Sequence, residues 1–190
     1  NQSLSDSPDN GMQAEQGESS SSPEAYPFPL DAVVLAGTHQ NPKRLVLGRN
    51  KAFLELGGQA LVRYVVEALV KAETIDQVFV VGPAEELIEK LTDFPSSVHV
   101  IAQRGKMLTN CWAGIESSED RHRNDPEIAV NDRPLLIISC DLPLVTARSI
   151  DDFVRRCAHE DRQAAQPYAM LAGVVDEPGV KPFHPSDNEQ

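Results

Sequence analysis

The segment Asp31-Ala32-Val33-Val34-Leu35-Ala36-Gly37 predicts more about this chain than any other stretch. Its apolar run is continuous, which is typical of a strand buried on both faces of a sheet. No Asp or Glu occurs between Ala32 and Leu54, and that interval contains the basic residues Lys43, Arg44, Arg49 and Lys51. Because the whole chain carries a net charge of −12, a positive loop after a buried strand indicates an anionic ligand, and the glycine turn favours a phosphate.

Strand and helix patterns alternate after this first strand. Further strands are predicted at Ala52–Leu56, Val78–Gly82, Val98–Ala102, Leu135–Cys140 and Tyr168–Val175. Apolar residues at helical spacing predict helices over Leu61–Ala72, Leu87–Leu91, Leu108–Ile115 and Ile150–Cys157, with Thr146 as N-cap of the last. Repeated βα units predict an α/β fold, a Rossmann-like three-layer sandwich with a mostly parallel sheet and helices on both faces.

Two stretches are interpreted as structural. The helical spacing of Trp112 with Leu108 and Ile115 predicts that the indole lies in the core. The charged stretch from Glu116 to Arg133 is interpreted as a solvated connection between a helix and the next strand.

The polar ends of the chain predict one central domain. Residues 1–29 are rich in Ser, Gln, Asp and Pro, and such a segment buries too little apolar surface to offset the entropy of ordering. We therefore expect a disordered tail over residues 1–29 and one domain over residues 30–175. An irregular tail is expected over residues 176–190, where prolines interrupt any regular element: Pro178, Pro182 and Pro185.

Composition disfavours several classes of protein. The acidic balance argues against non-specific nucleic-acid binding, which needs Lys and Arg clustered over a wide face. No apolar run approaches the roughly 18–20 residues of a membrane span, and the first residues do not resemble a signal peptide. Cys111, Cys140 and Cys157 match neither a zinc pattern nor a disulfide framework. We therefore expect buried free thiols in a cytoplasmic protein that binds neither nucleic acid nor membrane.

Two strand ends carry the residues of the predicted site. In open α/β sheets, ligands bind beyond the carboxyl ends of the strands, where the Gly37 loop and Asp141 both lie. A glycine loop lets backbone N–H groups approach a phosphate closely, and Arg44 and Lys51 would neutralise a triphosphate. The Asp141 carboxylate would supply an oxygen ligand to Mg²⁺. Phosphoryl or nucleotidyl transfer requires these parts, because its catalysis is mainly positioning and charge stabilisation.

Two other phosphate-binding motifs are missing from the sequence. It contains no Gly-x-x-x-x-Gly-Lys-Ser/Thr, which argues against a P-loop protein. It also has no Gly-x-Gly-x-x-Gly after Leu35, which disfavours a dinucleotide-binding Rossmann domain.

The order of these segments resembles the signature of the MobA-like NTP transferases, which share the nucleotide-diphospho-sugar transferase (GT-A) fold. The resemblance covers about residues 31–160 and rests on Leu35-Ala36-Gly37, Arg44, the stretch Lys51–Val62, the stretch Gly105–Gly114 and the stretch Ser139–Thr146. One departure is Thr38, which stands where the family usually has a glycine.

The resemblance implies a set of site residues and a reaction. Residues that would contact the base, ribose and phosphates of a nucleotide are Leu35, Ala36, Gly37, Thr38, Gly82, Gly105 and Asn110. Residues with catalytic roles would be Arg44 and Lys51 on the triphosphate and Asp141 on Mg²⁺. The implied reaction moves an NMP from an NTP to a phosphate-bearing or similar small-molecule acceptor and releases pyrophosphate. A homodimer is a further expectation.

The sequence leaves alternatives to this function. The family normally continues after the Asp141 motif with more strands and an acceptor-binding region, so we expect a member truncated at its C-terminus. One alternative is therefore a truncated, non-catalytic nucleotide-binding module. Another is a glycosyltransferase that uses a nucleotide-sugar on the same fold, although Asp141-Leu142-Pro143 lacks the Asp-x-Asp that such enzymes usually carry.

Overall fold

The computed structural model describes residues 24–38, 49–123, 133–166 and 170–171. The strands are β1 (Leu30–Leu35), β2 (Glu55–Leu56), β3 (Gln59–Ala60), β4 (Ile75–Gly82), β5 (Val98–Ala102) and β6 (Leu135–Ser139). The α-helices are α1 (Leu61–Lys71), α2 (Ala84–Lys90), α3 (Met107–His122) and α4 (Ala147–Gln163). The main sheet has the order β5-β4-β1-β6, and each of its strand pairs is parallel.

Both faces of β1 are buried, as its continuous apolar run predicts. Side chains alternate along a strand, so Val33 and Val34 belong to different apolar clusters. Val33 packs in the cluster that includes Ala113 of α3. Val34 belongs to the cluster that α1, α2 and α4 fill, with Val65, Leu87 and Val154 among its members. The described residues therefore form the predicted three layers, with α3 on one face and the other helices opposite.

The segment after the basic loop differs from the strand predicted at Ala52–Leu56. Lys51–Phe53 is a single turn of 3₁₀ helix, capped by the Asn50 side chain, which accepts a hydrogen bond from Ala52 N–H. Only Glu55–Leu56 is a strand, and it pairs with β3 across a two-residue turn. That turn is formed by Gly57 (φ 59°) and Gly58 (φ 82°), and two positive φ values in succession favour a tight hairpin.

The core prediction for Trp112 is wrong. Its residue is 59% exposed, and the buried face of α3 is formed instead by small and polar residues, among them Ala113 and Gly114. A Cβ at Gly114 would lie 2.5 Å from Val33 Cγ1, so the glycine lets α3 approach the sheet closely. The close approach selects the small-residue face of this helix, and the larger Leu108 and Trp112 are turned outward.

The stretch Glu116–Arg133 is likewise not simply a solvated connection. Helix α3 continues to His122, and a buried polar cluster joins the helix end to β1. The Asp31 carboxylate, 1% exposed, accepts a hydrogen bond from Ser118 Oγ and lies 3.0 Å from His122 Nε2. Arg133 Nη2 lies 3.6 Å from Asp31 Oδ1 and donates to the Pro29 carbonyl at 2.9 Å. Spacing along the sequence could not reveal this cluster, because its members lie on three separate segments.

Residues 24–29, which composition assigned to a tail, contact the domain. Tyr26 and Phe28 pack against the larger core cluster, and the Arg133 guanidinium lies 5.1 Å from the centre of the Phe28 ring. Arg162 Nη2 donates to the Glu24 carbonyl at 2.7 Å. Two aromatic side chains supply apolar surface that the overall composition of the segment concealed.

Other sequence predictions are confirmed in part. Thr146 caps α4, with its side chain accepting from Ser149 N–H at 3.1 Å. All three cysteines are free, but only Cys140 is buried, and Cys111 and Cys157 are partly exposed. The strand predicted at Tyr168–Val175 lies outside the described residues except for Met170 and Leu171, which are not in a strand. The rest of the predicted tails, residues 1–23 and 176–190, also lies outside them. Within the described ranges, no helix combines the length and apolar character needed to cross a membrane.

Replacing Asp31 with Ala is expected to lower the free energy of unfolding by about 3–5 kcal/mol, because Arg133 would remain buried without its carboxylate partner. Equilibrium denaturation in urea measures the change. The control is Asp120→Ala on α3, where the ion pair with Arg123 is solvent-exposed and its loss should cost less than about 1 kcal/mol. Equal stabilities of the two variants would contradict a structural role for Asp31.

Candidate functional site

The order of the main sheet concentrates functional groups at one edge. The chain places β4 and β5 on one side of β1 and β6 on the other, so the strand order reverses between β1 and β6. Ligands of open α/β sheets bind outside the carboxyl ends of the strands at such a reversal. Leu35 is in register with Ser139, and Cys140 N–H donates to the Leu35 carbonyl at 3.3 Å. The loop that begins at Ala36 and the Asp141 carboxylate therefore emerge side by side.

Lys51 and Asp141 meet at this edge although they are far apart in the sequence. Lys51 Nζ lies 3.1 Å from Asp141 Oδ2. The Lys51 side chain is 52% exposed and the Asp141 side chain 32% exposed. An ion pair this accessible to water contributes little stability, so a ligand could separate the two charges at low cost. The structure thus brings together two of the three residues predicted to be catalytic.

Ser139 contacts the other oxygen of the same carboxylate. Its Oγ donates a hydrogen bond to Asp141 Oδ1, while Lys51 holds Oδ2. The Ser139 hydrogen bond is the main cause of the lowered pKa of Asp141, and the Lys51 ammonium adds to it. Asp141 is therefore a carboxylate at neutral pH. Ser139 is not among the predicted site residues. It is the last residue of β6 and stands two positions before Asp141, and side chains two positions apart in an extended chain lie on the same side.

The loop from Ala36 to Thr38 is held by side chains from two directions. Asn50 Nδ2 donates to the Ala36 carbonyl at 2.8 Å and to Thr38 Oγ1 at 3.2 Å. Thr38 N–H donates to Gln103 Oε1 at 2.8 Å. The Thr38 backbone N–H, one of the groups predicted to contact a nucleotide, is already hydrogen-bonded to the side-chain oxygen of Gln103. A ligand that used this N–H would displace the Gln103 side chain.

Asn110 lies next to Gly37. The residue is 4% exposed, and its Oδ1 accepts a hydrogen bond from Arg104 N–H at 2.7 Å. A Cβ at Gly37 would collide with Asn110 Nδ2, so the glycine makes room for this amide. The structure therefore places Asn110 beside the loop, and contact between its amide and a nucleotide stays a prediction.

Two other predicted glycines have structural reasons for being glycine. A Cβ at Gly82 would lie 2.8 Å from the Ala36 carbonyl oxygen, so Gly82 lets the end of β4 lie against the loop. Gly105 has φ 102°, a conformation that other residues rarely adopt, and it turns the chain from β5 into α3. Both lie at the same edge as the loop, and their contact with a ligand stays a prediction.

Of the two remaining predicted site residues, the structure describes Leu35 but not Arg44. Leu35 is the last residue of β1 and contributes its backbone to the sheet edge. Arg44 lies outside the described residues. Asn50 and Gln103, which hold the loop after β1, are not among the predicted site residues. Each is an isolated amide side chain that belongs to no sequence motif. Gln103 directly follows the last residue of β5, which is a signal that the sequence offers, whereas Asn50 stands far from the end of β1 and has no such signal.

Replacing Ser139 with Ala is expected to raise the pKa of Asp141 toward its ordinary value, because the largest cause of the lowered pKa is removed. Ionised Asp141 stabilises the fold above the pKa of the unfolded carboxyl, and this contribution is lost as pH falls through the lower folded pKa. Carboxyl-carbon NMR titration measures the shift. Ser117→Ala, which removes a hydroxyl bonded to the Ala113 carbonyl, is the control. An unchanged Asp141 pKa in Ser139→Ala would refute the Ser139 hydrogen bond as the main cause of the lowered pKa.

Residues 32–175 match the family model described as MobA-like NTP transferase domain. The chain is 30% identical over 153 residues to the bifunctional protein GlmU of Sorangium cellulosum (strain So ce56), an overlap that covers 80% of this chain and 30% of that protein. It is 35% identical over 78 residues to 2-C-methyl-D-erythritol 4-phosphate cytidylyltransferase of Rhodococcus jostii (strain RHA1), covering 40% of this chain and 34% of that protein. The overlap spans about a third of the length of these curated relatives.

A solved structure shows the same fold. It is 4-diphosphocytidyl-2C-methyl-D-erythritol synthase from Anaerococcus prevotii DSM 20548, with a TM-score of 0.50 and 11% sequence identity. The likeness covers 80% of this chain and 61% of that one. At this identity the comparison bears on the fold alone, and it confirms the predicted α/β sandwich.

Proposed function

The chain belongs to the MobA-like NTP transferase family, and we propose that it transfers an NMP from an NTP to a phosphate-bearing or similar small-molecule acceptor, with release of pyrophosphate. The observation that carries this proposal is the exposed Lys51–Asp141 pair beside the Gly37 loop, at the reversal of strand order. A cation and a carboxylate next to a glycine loop can bind a polyphosphate and its counter-ion together.

The reaction needs little covalent chemistry from the protein. An acceptor oxygen forms a bond to the α-phosphorus of the NTP, and the bond from that phosphorus to the bridging oxygen of the β-phosphate breaks. Pyrophosphate leaves with the electron pair. Lys51, with Arg44, would stabilise the negative charge that grows on the phosphate oxygens, and the Leu35–Thr38 backbone would orient the nucleotide.

The residues at the site fit a magnesium ion shared with the substrate. Among the described residues, no cluster of three or more His, Cys, Asp or Glu side chains could hold a metal by itself. Mg²⁺ commonly uses one or two carboxylates together with substrate phosphates and water, and Asp141 offers one ionised carboxylate with a lowered pKa. When bound, Mg²⁺ would neutralise phosphate charge and help orient the triphosphate.

The name of one relative supports the proposal of a small-molecule acceptor. One relative is by name a cytidylyltransferase that acts on 2-C-methyl-D-erythritol 4-phosphate, so a phosphorylated small molecule is the acceptor class we propose. A homodimer, a cytoplasmic location and a single domain over residues 30–175 are proposed with it.

The full chain is expected to gain thermal stability from one Mg·NTP. At a nucleotide concentration about 100-fold above Kd, mass action should raise Tm by about 5–10 °C. Differential scanning fluorimetry with ATP, CTP, GTP and UTP, each with Mg²⁺ or with EDTA, measures the shift and identifies the base. No shift with any NTP would refute the proposed function. A shift without turnover on any phosphorylated acceptor would favour the non-catalytic nucleotide-binding module.

Lys51→Ala and Asp141→Ala are each expected to reduce pyrophosphate release by at least about 100-fold while the fold remains intact. The fold should survive because the pair is exposed, so each change should cost less than about 1 kcal/mol of stability. A coupled pyrophosphate assay with the stabilising NTP and a panel of phosphorylated acceptors measures the rates.

Lys71→Ala and Asp152→Ala are matched controls for these two variants. Both residues belong to exposed i,i+4 ion pairs on helices, with Glu67 and Arg148 respectively. Their rates should equal that of the unmodified chain. Full activity in Lys51→Ala and Asp141→Ala would exclude the proposed catalytic roles.

A further inference from the structure

Asn50 uses both ends of its side-chain amide at the candidate site. Its Oδ1 accepts a hydrogen bond from Ala52 N–H at 3.1 Å and so caps the 3₁₀ turn that begins at Lys51. Its Nδ2 donates to the Ala36 carbonyl at 2.8 Å and to Thr38 Oγ1 at 3.2 Å. One side chain therefore connects the turn that carries the lysine to the loop that follows β1.

The loop end of this connection is anchored in the sheet. Ala36 N–H donates to the Val81 carbonyl at 2.9 Å, which continues the β1–β4 pairing beyond the strand. Thr38 N–H is held by Gln103 at 2.8 Å. The Asn50 amide thus fixes the Lys51 turn to a part of the backbone whose position the parallel sheet already determines.

Capping alone does not require asparagine at this position. Ser and Asp are N-cap residues of comparable quality, because a hydroxyl or carboxylate oxygen accepts the same backbone hydrogen bond. Neither can reproduce the second function: an ionised Asp has no hydrogen to donate, and a Ser hydroxyl is too short to reach Ala36 while it caps. The contacts to Ala36 and Thr38 are therefore the distinctive contribution of asparagine.

We propose that Asn50 is a positioning residue of the nucleotide site, and that its amide sets Lys51 relative to the Ala36–Thr38 loop so that both contact the same triphosphate. This inference rests on the proposed function. Lys51 directly follows Asn50, so a displacement of the capped turn would move the base of the lysine side chain and, with it, the ammonium now 3.1 Å from Asp141. Displacements of about 1 Å at such a site can cost about 100-fold in rate.

Asn50→Ser is the decisive variant, because it keeps a cap, adds no charge and removes the donor to Ala36. Its Tm without ligand should lie within about 2 °C of that of the unmodified chain. Its Kd for the stabilising Mg·NTP, measured by isothermal titration calorimetry, should rise about tenfold, as expected for weakened charge-assisted contacts. The rate of pyrophosphate release at saturating NTP should fall about 10- to 100-fold.

Asn50→Ala and Asn50→Asp separate positioning from capping. Ala removes both functions, and Asp keeps the cap while losing the donor. If Asn50 positions Lys51, all three variants bind Mg·NTP more weakly than the unmodified chain. If it only caps the turn, Ser binds as well as asparagine while Ala is impaired, which would overturn the inference; Asp is compared by its Tm without ligand, because its added charge repels the triphosphate in either case.

The same titrations distinguish failure of this inference from failure of the proposed function. If the unmodified chain binds no Mg·NTP, the proposed function is refuted and the positioning role of Asn50 with it. If the unmodified chain binds and Asn50→Ser binds with the same Kd, only the positioning role is refuted.

Discussion

The parallel pairing of β1 with a strand on each side is the constraint on which the rest of this structure depends. Because β4 and β6 both run in the direction of β1, their carboxyl ends lie at one edge of the sheet. The Leu35 carbonyl accepts from Cys140 N–H and Ala36 N–H donates to the Val81 carbonyl, so the loop that follows starts from a defined position. Residues far apart in the sequence, such as Lys51 and Asp141, become neighbours only through this arrangement.

The two ends of β1 carry charged groups in opposite environments. At its start, Asp31 is buried with Ser118, His122 and Arg133, where removal of one partner would leave another charge without compensation. At its far end, the Lys51–Asp141 pair is open to water and adds little to stability. The buried cluster therefore serves to attach α3 and the start of β6 to the central strand, while the exposed pair is available to a ligand.

Sequence patterns located the main sheet well and the helix faces less well. Apolar patterns identified all four of its strands, and the signal is strongest in β1 and β4, which are buried on both faces. Apolar spacing predicts Trp112 in the core, yet Gly114 decides which face of α3 packs on the sheet, since Val33 leaves no space for a Cβ there. The spacing of apolar residues does not reveal that α3 approaches the sheet closely, because that approach depends on the absence of a side chain at Gly114. The charge pattern predicts solvated His122 and Arg133 for a similar reason, because their partner Asp31 belongs to another segment.

The sequence by itself determined the fold class, the family and the strand ends at which Gly37 and Asp141 lie, because these follow from local apolar patterns and short motifs. The tertiary structure alone decided which groups act together there. Three side chains each make a hydrogen bond near the end of a strand: Ser139 to Asp141, Asn50 to Ala36, and Gln103 to Thr38. Such contacts depend on strand register and loop path to within a few tenths of an ångström, and no spacing along a chain specifies distance to that precision.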